Sequence, residues 1–239
     1  MQSIFKRYEN KYLITYAQHA ALYNLLSRRM APDYYGEYLV QNLYYDTENW
    51  DVIRASIESP LFKEKLRLRC YGDISQQSDL FLELKKKYDG VVHKRRIAIP
   101  ADALSGGSVR GAVAKDTSQI AHELGFYLKS HAVSEKMYIV YRRAAFTGTS
   151  DAGLRVTIDS DVRFRLGSLD FSCPGYGHAI LPQGKTLMEI KTFGGMPIWL
   201  ARALCDNQIY PTSFSKYGIC YTNYILKNAP PARKALVCA

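Results

Sequence analysis

Lys65-Leu66-Arg67-Leu68-Arg69 alternates cation with leucine at the period of a β-strand. Two further stretches alternate charge with apolar residues in the same way, Phe81-Leu82-Glu83-Leu84-Lys85-Lys86-Lys87 and Leu187-Met188-Glu189-Ile190-Lys191. Residues i, i+2 and i+4 of a strand share a face. Lys65, Arg67 and Arg69 therefore project together, as do Glu83, Lys85 and Lys87, and Glu189 with Lys191. Lys94, Arg96, Arg143 and Arg155 also fall on predicted strands. Guanidinium forks match phosphate oxygens in pairs, and lysine supplies a compact charge. Gathering so many cations is unfavourable unless an anion occupies the space between them. The chemistry predicted is the binding of a polyanion. The plainer alternative is a set of unrelated strands that turn their charges to solvent.

Carboxylates accompany the cations. Glu9, Glu83, Glu189 and Asp159 each lie on a predicted strand beside a basic residue. Oxygen ligands of this kind suit Mg²⁺ or Mn²⁺, which commonly bridge a carboxylate and substrate phosphates; ordinary ion pairing is the alternative for each taken singly. Ser213-Phe214-Ser215-Lys216-Tyr217 opens the last predicted helix, with Ser213 as its candidate cap. The free N–H groups and positive dipole end of a helix start favour phosphate, and Ser215 and Lys216 would strengthen such a site.

Other chemistries are excluded. Gly184-Lys185-Thr186 is not a P-loop, because Ala179 stands where the earlier glycine is required and Lys185 opens a strand. The five His show no paired metal spacing, and no GxSxG elbow is present. The five Cys contain no CxxC pair and suit reduced thiols. The 19 Tyr are scattered through strands and helices and read as packing residues rather than a base-stacking series.

The elements that must position these groups follow from periodicity and punctuation. Strands are predicted over 4–14, 38–45, 63–71, 80–88, 91–99, 134–146, 154–166 and 185–193, with Asp89-Gly90 as a hairpin turn. Helices are predicted over 16–30 with Thr15 as N-cap, 46–58, 118–130, 197–206 with Pro197 in its first turn, and 213–226. A loop with a short helix fills 100–114, and the tail from about 228, with Pro230-Pro231, reads as flexible. The class is α+β. Closing the antiparallel strands into a barrel would remove exposed edges, so the expectation is a closed antiparallel β-barrel with a basic lumen, flanked by helices.

The bulk figures agree with one globular domain over residues 1–239: hydrophobic residues are 47% and no linker divides the chain. Lys+Arg number 32 against 22 Asp+Glu, a net charge of +10 that favours anionic partners. No apolar signal segment opens the sequence, and no run approaches the roughly 18 apolar residues of a spanning helix. The expected location is the cytoplasm, with docking to a membrane protein left open.

Taken in order, Arg7-Tyr8-Glu9-Asn10-Lys11-Tyr12, Leu43-Tyr44-Tyr45-Asp46, Leu66-Arg67-Leu68-Arg69-Cys70-Tyr71-Gly72, Leu82-Glu83-Leu84-Lys85, Tyr141-Arg142-Arg143-Ala144-Ala145-Phe146, Leu154-Arg155-Val156-Thr157-Ile158-Asp159, Leu187-Met188-Glu189-Ile190-Lys191 and Phe214-Ser215-Lys216-Tyr217 form a recognisable set. Over about residues 4 to 226 the chain resembles the VTC domain, the catalytic domain of vacuolar transporter chaperone polyphosphate polymerases, within the triphosphate tunnel metalloenzymes. The resemblance implies transfer of the γ-phosphate of ATP onto inorganic polyphosphate inside a basic tunnel, with Mn²⁺ or Mg²⁺. It implies Arg67, Arg69, Lys85, Arg143 and Lys191 as catalytic cations, and Lys11, Arg155, Ser215 and Lys216 as phosphate ligands; the strand alternation adds Lys87, Lys94 and Arg96 as candidate phosphate ligands. It implies Glu189 as the chief metal ligand, with Glu83 and Glu9 as lesser candidates.

Three departures stand out: Arg7 replaces the first acid of the superfamily's Glu-x-Glu-x-Lys strand, Lys87 stands where a residue such as His is expected, and Ser213 takes a place that can be basic. A regulatory SPX domain or membrane segment is not expected within these residues. The partners implied are ATP and polyphosphate, with a membrane-protein partner open and nucleic acid not expected. A triphosphate hydrolase of the same fold and a non-catalytic polyanion-binding module are the competing readings.

Overall fold

Thr15 joins the first strand to the first helix by satisfying backbone groups that a helix start leaves unbonded. Its Oγ1 accepts from Gln18 N–H at 3.1 Å while Gln18 Oε1 accepts from Thr15 N–H at 2.9 Å, a reciprocal capping box. This fixes β1 (Arg7–Thr15) directly against α1 (Tyr16–Arg29). The computed structural model describes residues 7–58, 61–76, 79–89, 91–104, 107–151 and 153–228, apart from the side chains of Arg7, Tyr35 and Gln76. Residues 4–6 of the predicted first strand, Gly90 of the predicted hairpin turn and the tail from 229 lie outside the described residues.

The chain continues through β2 (Met30–Asp46), α2 (Asp51–Glu58), β3 (Phe62–Tyr71), β4 (Asp79–Tyr88), β5 (Val91–Pro100), α3 (Val109–Lys115) and α4 (Gln119–Ser130). Then come β6 (Ser134–Gly148), β7 (Arg155–Arg165), β8 (His178–Ala179), β9 (Lys185–Phe193), α5 (Ile198–Asp206) and α6 (Lys216–Cys220), followed by a π-helical turn over Tyr221–Leu226. β2 starts eight residues earlier than its apolar alternation (38 against 30), because Pro32 and Gly36 interrupt the pattern without ending the strand. The last helix starts at Lys216 with Ser215, not Ser213, as its cap. β8, of two residues, lies between the predicted strands over 154–166 and 185–193.

The hydrogen-bonded strand order is β1-β9-β7-β6-β2-β3-β4-β5, with β8 paired to β7. Among the described residues no pairing joins β1 to β5, so the sheet is not closed. The expected closed barrel with its basic lumen is thereby corrected to an antiparallel sheet with two ends. The edges are protected by other means. Next to β1, Thr212 N–H donates to Lys11 O at 2.7 Å and Lys11 Nζ reaches Phe214 O at 2.9 Å. β5 carries His93-Lys94-Arg95-Arg96, a charged edge, with Arg95 paired to Glu123 of α4 at 2.8 Å.

The residues group into two compact units. The first comprises the described residues up to Leu39 with Tyr141–Val162 and Ala179–Phe214. Its core gathers Ile14, Leu22, Leu26, Val156, Met188, Ile190 and Leu200, so one face of β1, β7 and β9 packs on α1 and α5. The second comprises Val40–Val140, Arg163–His178 and the described residues from Ser215. There α2 packs on β3, and α3 and α4 on β5. Leu66, Leu68, Leu82, Leu84, Ile97 and Ile99 form the buried sides of β3, β4 and β5. Full burial of one such side chain contributes roughly 1.5–3 kcal/mol. In each unit the opposite face of those strands carries the charges.

Asp46 ties the end of β2 to two helices of its unit. Its carboxylate accepts from Val52 N–H at 2.9 Å, Ile53 N–H at 3.0 Å and Tyr217 Oη at 2.7 Å. Burial raises its pKa, and these bonds partly offset that. Asp46→Ala should therefore lower unfolding free energy by about 2–4 kcal/mol, through a lost cap and stranded buried donors. Urea denaturation checks this, and a loss under about 0.5 kcal/mol would remove the carboxylate from the role.

Candidate phosphate-binding faces

The second unit carries a basic face built by strand register alone. Directly opposite residues of an antiparallel pair point to the same side. Lys65 of β3 stands opposite Lys85 of β4, which stands opposite Lys94 of β5. One row on, Arg67, Glu83 and Arg96 align; Arg69 is opposite Phe81, and Lys63 opposite Lys87. The intervening leucines point into the core, so the cations have only this face.

Glu83 lies at the centre of that face and is 1% exposed. Arg67 donates to its Oε2 through Nε at 3.0 Å and Nη2 at 2.8 Å. Lys94 Nζ lies 2.6 Å and Arg96 Nε 3.7 Å from Oε1, and Arg69 Nη1 lies 3.8 Å from Oε2. Burial by itself would raise the Glu83 pKa; Arg67, Arg69 and Lys94 outweigh it and hold the carboxyl down to about 2. It is ionised at neutral pH and neutralises part of the charge around it.

Neighbouring elements orient the cations. Asn42 Oδ1 accepts from Arg69 Nε at 2.8 Å while Asn42 Nδ2 donates to Ile139 O at 3.2 Å. Arg67 Nη1 reaches Tyr44 Oη at 3.3 Å, and the Tyr44 ring stacks on Tyr217 with centroids 4.5 Å apart. Ser215 Oγ accepts both from Gly218 N–H at 3.1 Å and from Lys65 Nζ at 3.0 Å, and its own O–H is still able to donate. Arg96 lies over the Phe81 ring, 3.5 Å from its centroid.

The first unit has its own charged face. Glu9 is opposite Lys191, and Lys11 opposite Glu189, across β1 and β9. On the far side of β9, Lys191 is opposite Arg155 and Glu189 opposite Thr157 of β7. Lys191 Nζ is 2.6 Å from Glu189 Oε1 and 3.9 Å from Glu9 Oε2. Arg143 grips Asp159 through two bonds of 2.7 and 2.8 Å. Burial opposes the charge of Arg143, but Asp159 first, then Tyr141 and Glu189, raise its pKa further. Arg155 Nη2 is 3.3 Å from Asp33 Oδ2.

The candidates thus divide by unit. Arg67, Arg69, Glu83, Lys85, Lys94 and Arg96 come together in the second unit, with Ser215 joined to them through Lys65. Lys216 opens α6 immediately after the cap, half-buried, and Lys87 is exposed toward the end of β4. Glu9, Lys11, Arg143, Arg155, Glu189 and Lys191 belong to the first unit. Lys65, Asn42, Tyr44 and Thr157 were not among the predicted site residues. The alternation of β3 already pointed to Lys65; Asn42 and Tyr44 carry only the weaker signal of polar atoms inside an apolar strand.

Among the described residues no group of three or more His, Cys, Asp and Glu gathers closely enough to hold a metal. A divalent ion at Glu189 would therefore take much of its coordination from water and phosphate oxygens. This is the habit of Mg²⁺ and similar hard cations, and the buried Glu189 carboxylate beside the Thr157 hydroxyl fits it.

The VTC domain family model matches residues 6–225. The chain belongs to that family, and membership places it among phosphoryl-handling enzymes. No curated protein matches it. Solved structures that resemble it include the PH1819 protein of Pyrococcus horikoshii OT3, at 12% identity, 90% of this chain, 99% of that one and a TM-score of 0.47. A candidate adenylate cyclase of Vibrio parahaemolyticus follows at 14% identity, 91% and 98% coverage and a TM-score of 0.48. The Mimivirus capping enzyme triphosphatase gives 13%, 84%, 88% and 0.38. Likenesses this distant say nothing about the activity of this chain.

The Glu83 cluster makes stability depend on acid in a defined direction. A depressed carboxyl pKa stabilises the fold above its unfolded value, and that contribution is lost as pH falls toward the folded value. For a group moved from 4.5 to about 2, the loss between pH 5 and pH 2 is about 3 kcal/mol. Glu83→Gln should remove this part of the acid dependence and cost roughly 3–5 kcal/mol at pH 7 by leaving the cations unneutralised. Denaturation curves at pH 7, 5 and 3 measure both effects; parallel pH dependence in the two proteins would sink the assignment.

Proposed function

We propose that the chain is an ATP-dependent polyphosphate polymerase that transfers the γ-phosphate of ATP to the end of an inorganic polyphosphate chain. The observation that carries the reading is the length and spacing of the basic face. Lys63, Lys65, Arg67 and Arg69 share one side of β3 and span about 20 Å at roughly 3.3 Å per residue, which suits a linear run of phosphates better than a single one. Lys85, Lys94 and Arg96 widen that face across two more strands. Family membership supports the same substrate class.

The reaction needs no protein nucleophile. A terminal phosphate oxygen of the chain attacks the γ-phosphorus of ATP in line, the bond to the β,γ-bridging oxygen breaks, and ADP leaves with that electron pair. Charge builds on the equatorial oxygens of the transferred group, and preset guanidinium and ammonium groups stabilise it. We assign Arg67, Arg69 and Lys85 to phosphate on the face of the second unit, and Arg143 and Lys191 to phosphate on the face of the first. Lys94, Arg96, Lys87, Ser215 and Lys216 are assigned as further phosphate ligands of the second unit, and Lys11 and Arg155 as those of the first. Glu83 is assigned as counter-ion to its four cations rather than as a metal ligand. Glu189, with Glu9 as lesser partner, would hold Mn²⁺ or Mg²⁺, which when bound supplies charge neutralisation and polarises a phosphoryl oxygen.

Among the described residues no helix is long and apolar enough to cross a membrane. Within this reading the enzyme is cytoplasmic, with a membrane protein as candidate receiver of the product and no nucleic-acid partner.

Purified chain incubated with ATP and Mn²⁺ should yield ADP and a growing internal-phosphate signal in phosphorus-31 NMR. Orthophosphate alone would replace the reading with a hydrolase, and absence of turnover would leave a binding module. Glu189→Gln should reduce turnover at least about 100-fold while shifting Tm by no more than about 2 °C; undiminished activity would remove Glu189 from the site.

A further inference from the structure

Thr157 Oγ1 is buried and has no hydrogen-bond partner among the described residues. The residue is 2% exposed. An unpartnered buried hydroxyl costs about 1–3 kcal/mol, and most buried polar groups avoid that cost. Valine has nearly the same shape and prefers strands equally, so packing alone gives no reason for a hydroxyl here. What distinguishes the position is its neighbour. Thr157 stands directly opposite Glu189, and such pairs hold their Cβ atoms roughly 4.5–5.5 Å apart on one face. The threonines of the neighbouring strand β9 differ in partner or in facing. Thr192 Oγ1 donates to Gly194 O at 3.1 Å. Thr186, whose Oγ1 is also unpartnered, lies with Met188 and Ile190 on the opposite, core-facing side of the strand.

We propose that Thr157 is a positioning residue for Glu189, its hydroxyl kept for the carboxylate when the site is loaded with a divalent cation and phosphate. The inference rests on the metal role given to Glu189 above. In the structure Lys191 Nζ lies 2.6 Å from Glu189 Oε1. An ammonium and a divalent cation repel one another, so with a cation at Glu189 the Lys191 ammonium would leave the carboxylate for the phosphates. The carboxylate then loses its lysine contact. Thr157 Oγ1–H, buried directly opposite on β7, donates to it in place of Lys191. Carboxylates that ligate metals are themselves hydrogen-bonded, and loss of such an outer partner typically weakens metal binding about 10–100-fold.

The two roles of a buried threonine give opposite signatures on replacement. Thr157→Val removes the hydroxyl and keeps the shape, so the ion-free protein should hold its Tm or gain slightly. Mn²⁺ binding, followed by loss of the free-ion EPR signal with the full chain, should weaken about 10–100-fold. Thr157→Ser should stay within about threefold of wild type, and Glu189→Gln should weaken binding at least as much as Thr157→Val. Wild-type affinity in T157V beside a weakened E189Q would overturn the inference and leave the Glu189 assignment standing. Equal affinity in E189Q and wild type, or no Mn²⁺ binding by wild type, would overturn the Glu189 assignment and the inference together. A T157V chain that does not fold would make the hydroxyl structural and end the proposal.

Discussion

The basic face of β3, β4 and β5 depends on one buried carboxylate. Lysines and arginines two residues apart on adjacent strands repel one another, and that repulsion grows as water is excluded. Glu83 meets it from inside the sheet: its two oxygens engage Arg67 and Lys94 at hydrogen-bond distance, and Arg69 and Arg96 stand just beyond. The arrangement neutralises the face enough to fold without neutralising it fully, so the face keeps a net positive charge for an anionic ligand. Removing the carboxylate would leave the cations in place with nothing to offset them, which is why a buried ion pair costs more to break than it contributes when whole.

The same alternation that aims the cations also builds the core. Lys65, Arg67 and Arg69 of β3 are separated by Leu66 and Leu68, and Glu83 and Lys85 of β4 by Leu84, each leucine almost fully buried. A shift of one residue in register would exchange the two faces, burying charge and exposing leucine. Register is thus set by the hydrophobic side, and the positions of the phosphate-binding candidates follow from it. The supports beyond the sheet have the same character: Tyr217 fills the unit's interior, stacks on Tyr44 and donates to Asp46, and Tyr44 in turn meets Arg67.

Strand identity and facing were legible because period-2 alternation is a local property. Lys65, Arg67 and Arg69 share a face in the structure as their spacing says, and Thr15 caps its helix as its side chain allows. Closure was not legible. Whether β1 meets β5 depends on contacts far apart in sequence, and the edges are managed here by the segment through Thr212 and Phe214 and by the charges of β5. The helix cap shifted from Ser213 to Ser215 because both serines satisfy the local preference; only the three-dimensional position of Lys65 and the Gly218 amide separates them. Thr157 was invisible for a similar reason: a threonine in a strand is ordinary until its hydroxyl is found buried, unpartnered and opposite a carboxylate.

Glu83 and Glu189 look alike in sequence, each flanked by apolar residues with a lysine two positions on, yet their surroundings suit them to different work. Around Glu83 the nearest charges are side chains fixed by neighbouring strands, and its two oxygens meet cations on both sides. A metal ion there would have to displace several cations at once. Glu189 Oε1 is engaged by Lys191, a flexible ammonium on its own strand that has Glu9 as an alternative partner. That contact can exchange, because the lysine has somewhere else to put its charge. A carboxylate locked among guanidiniums makes a counter-ion; one paired to a lysine with a second carboxylate in reach, and with a buried hydroxyl opposite, is the one we propose as a ligand.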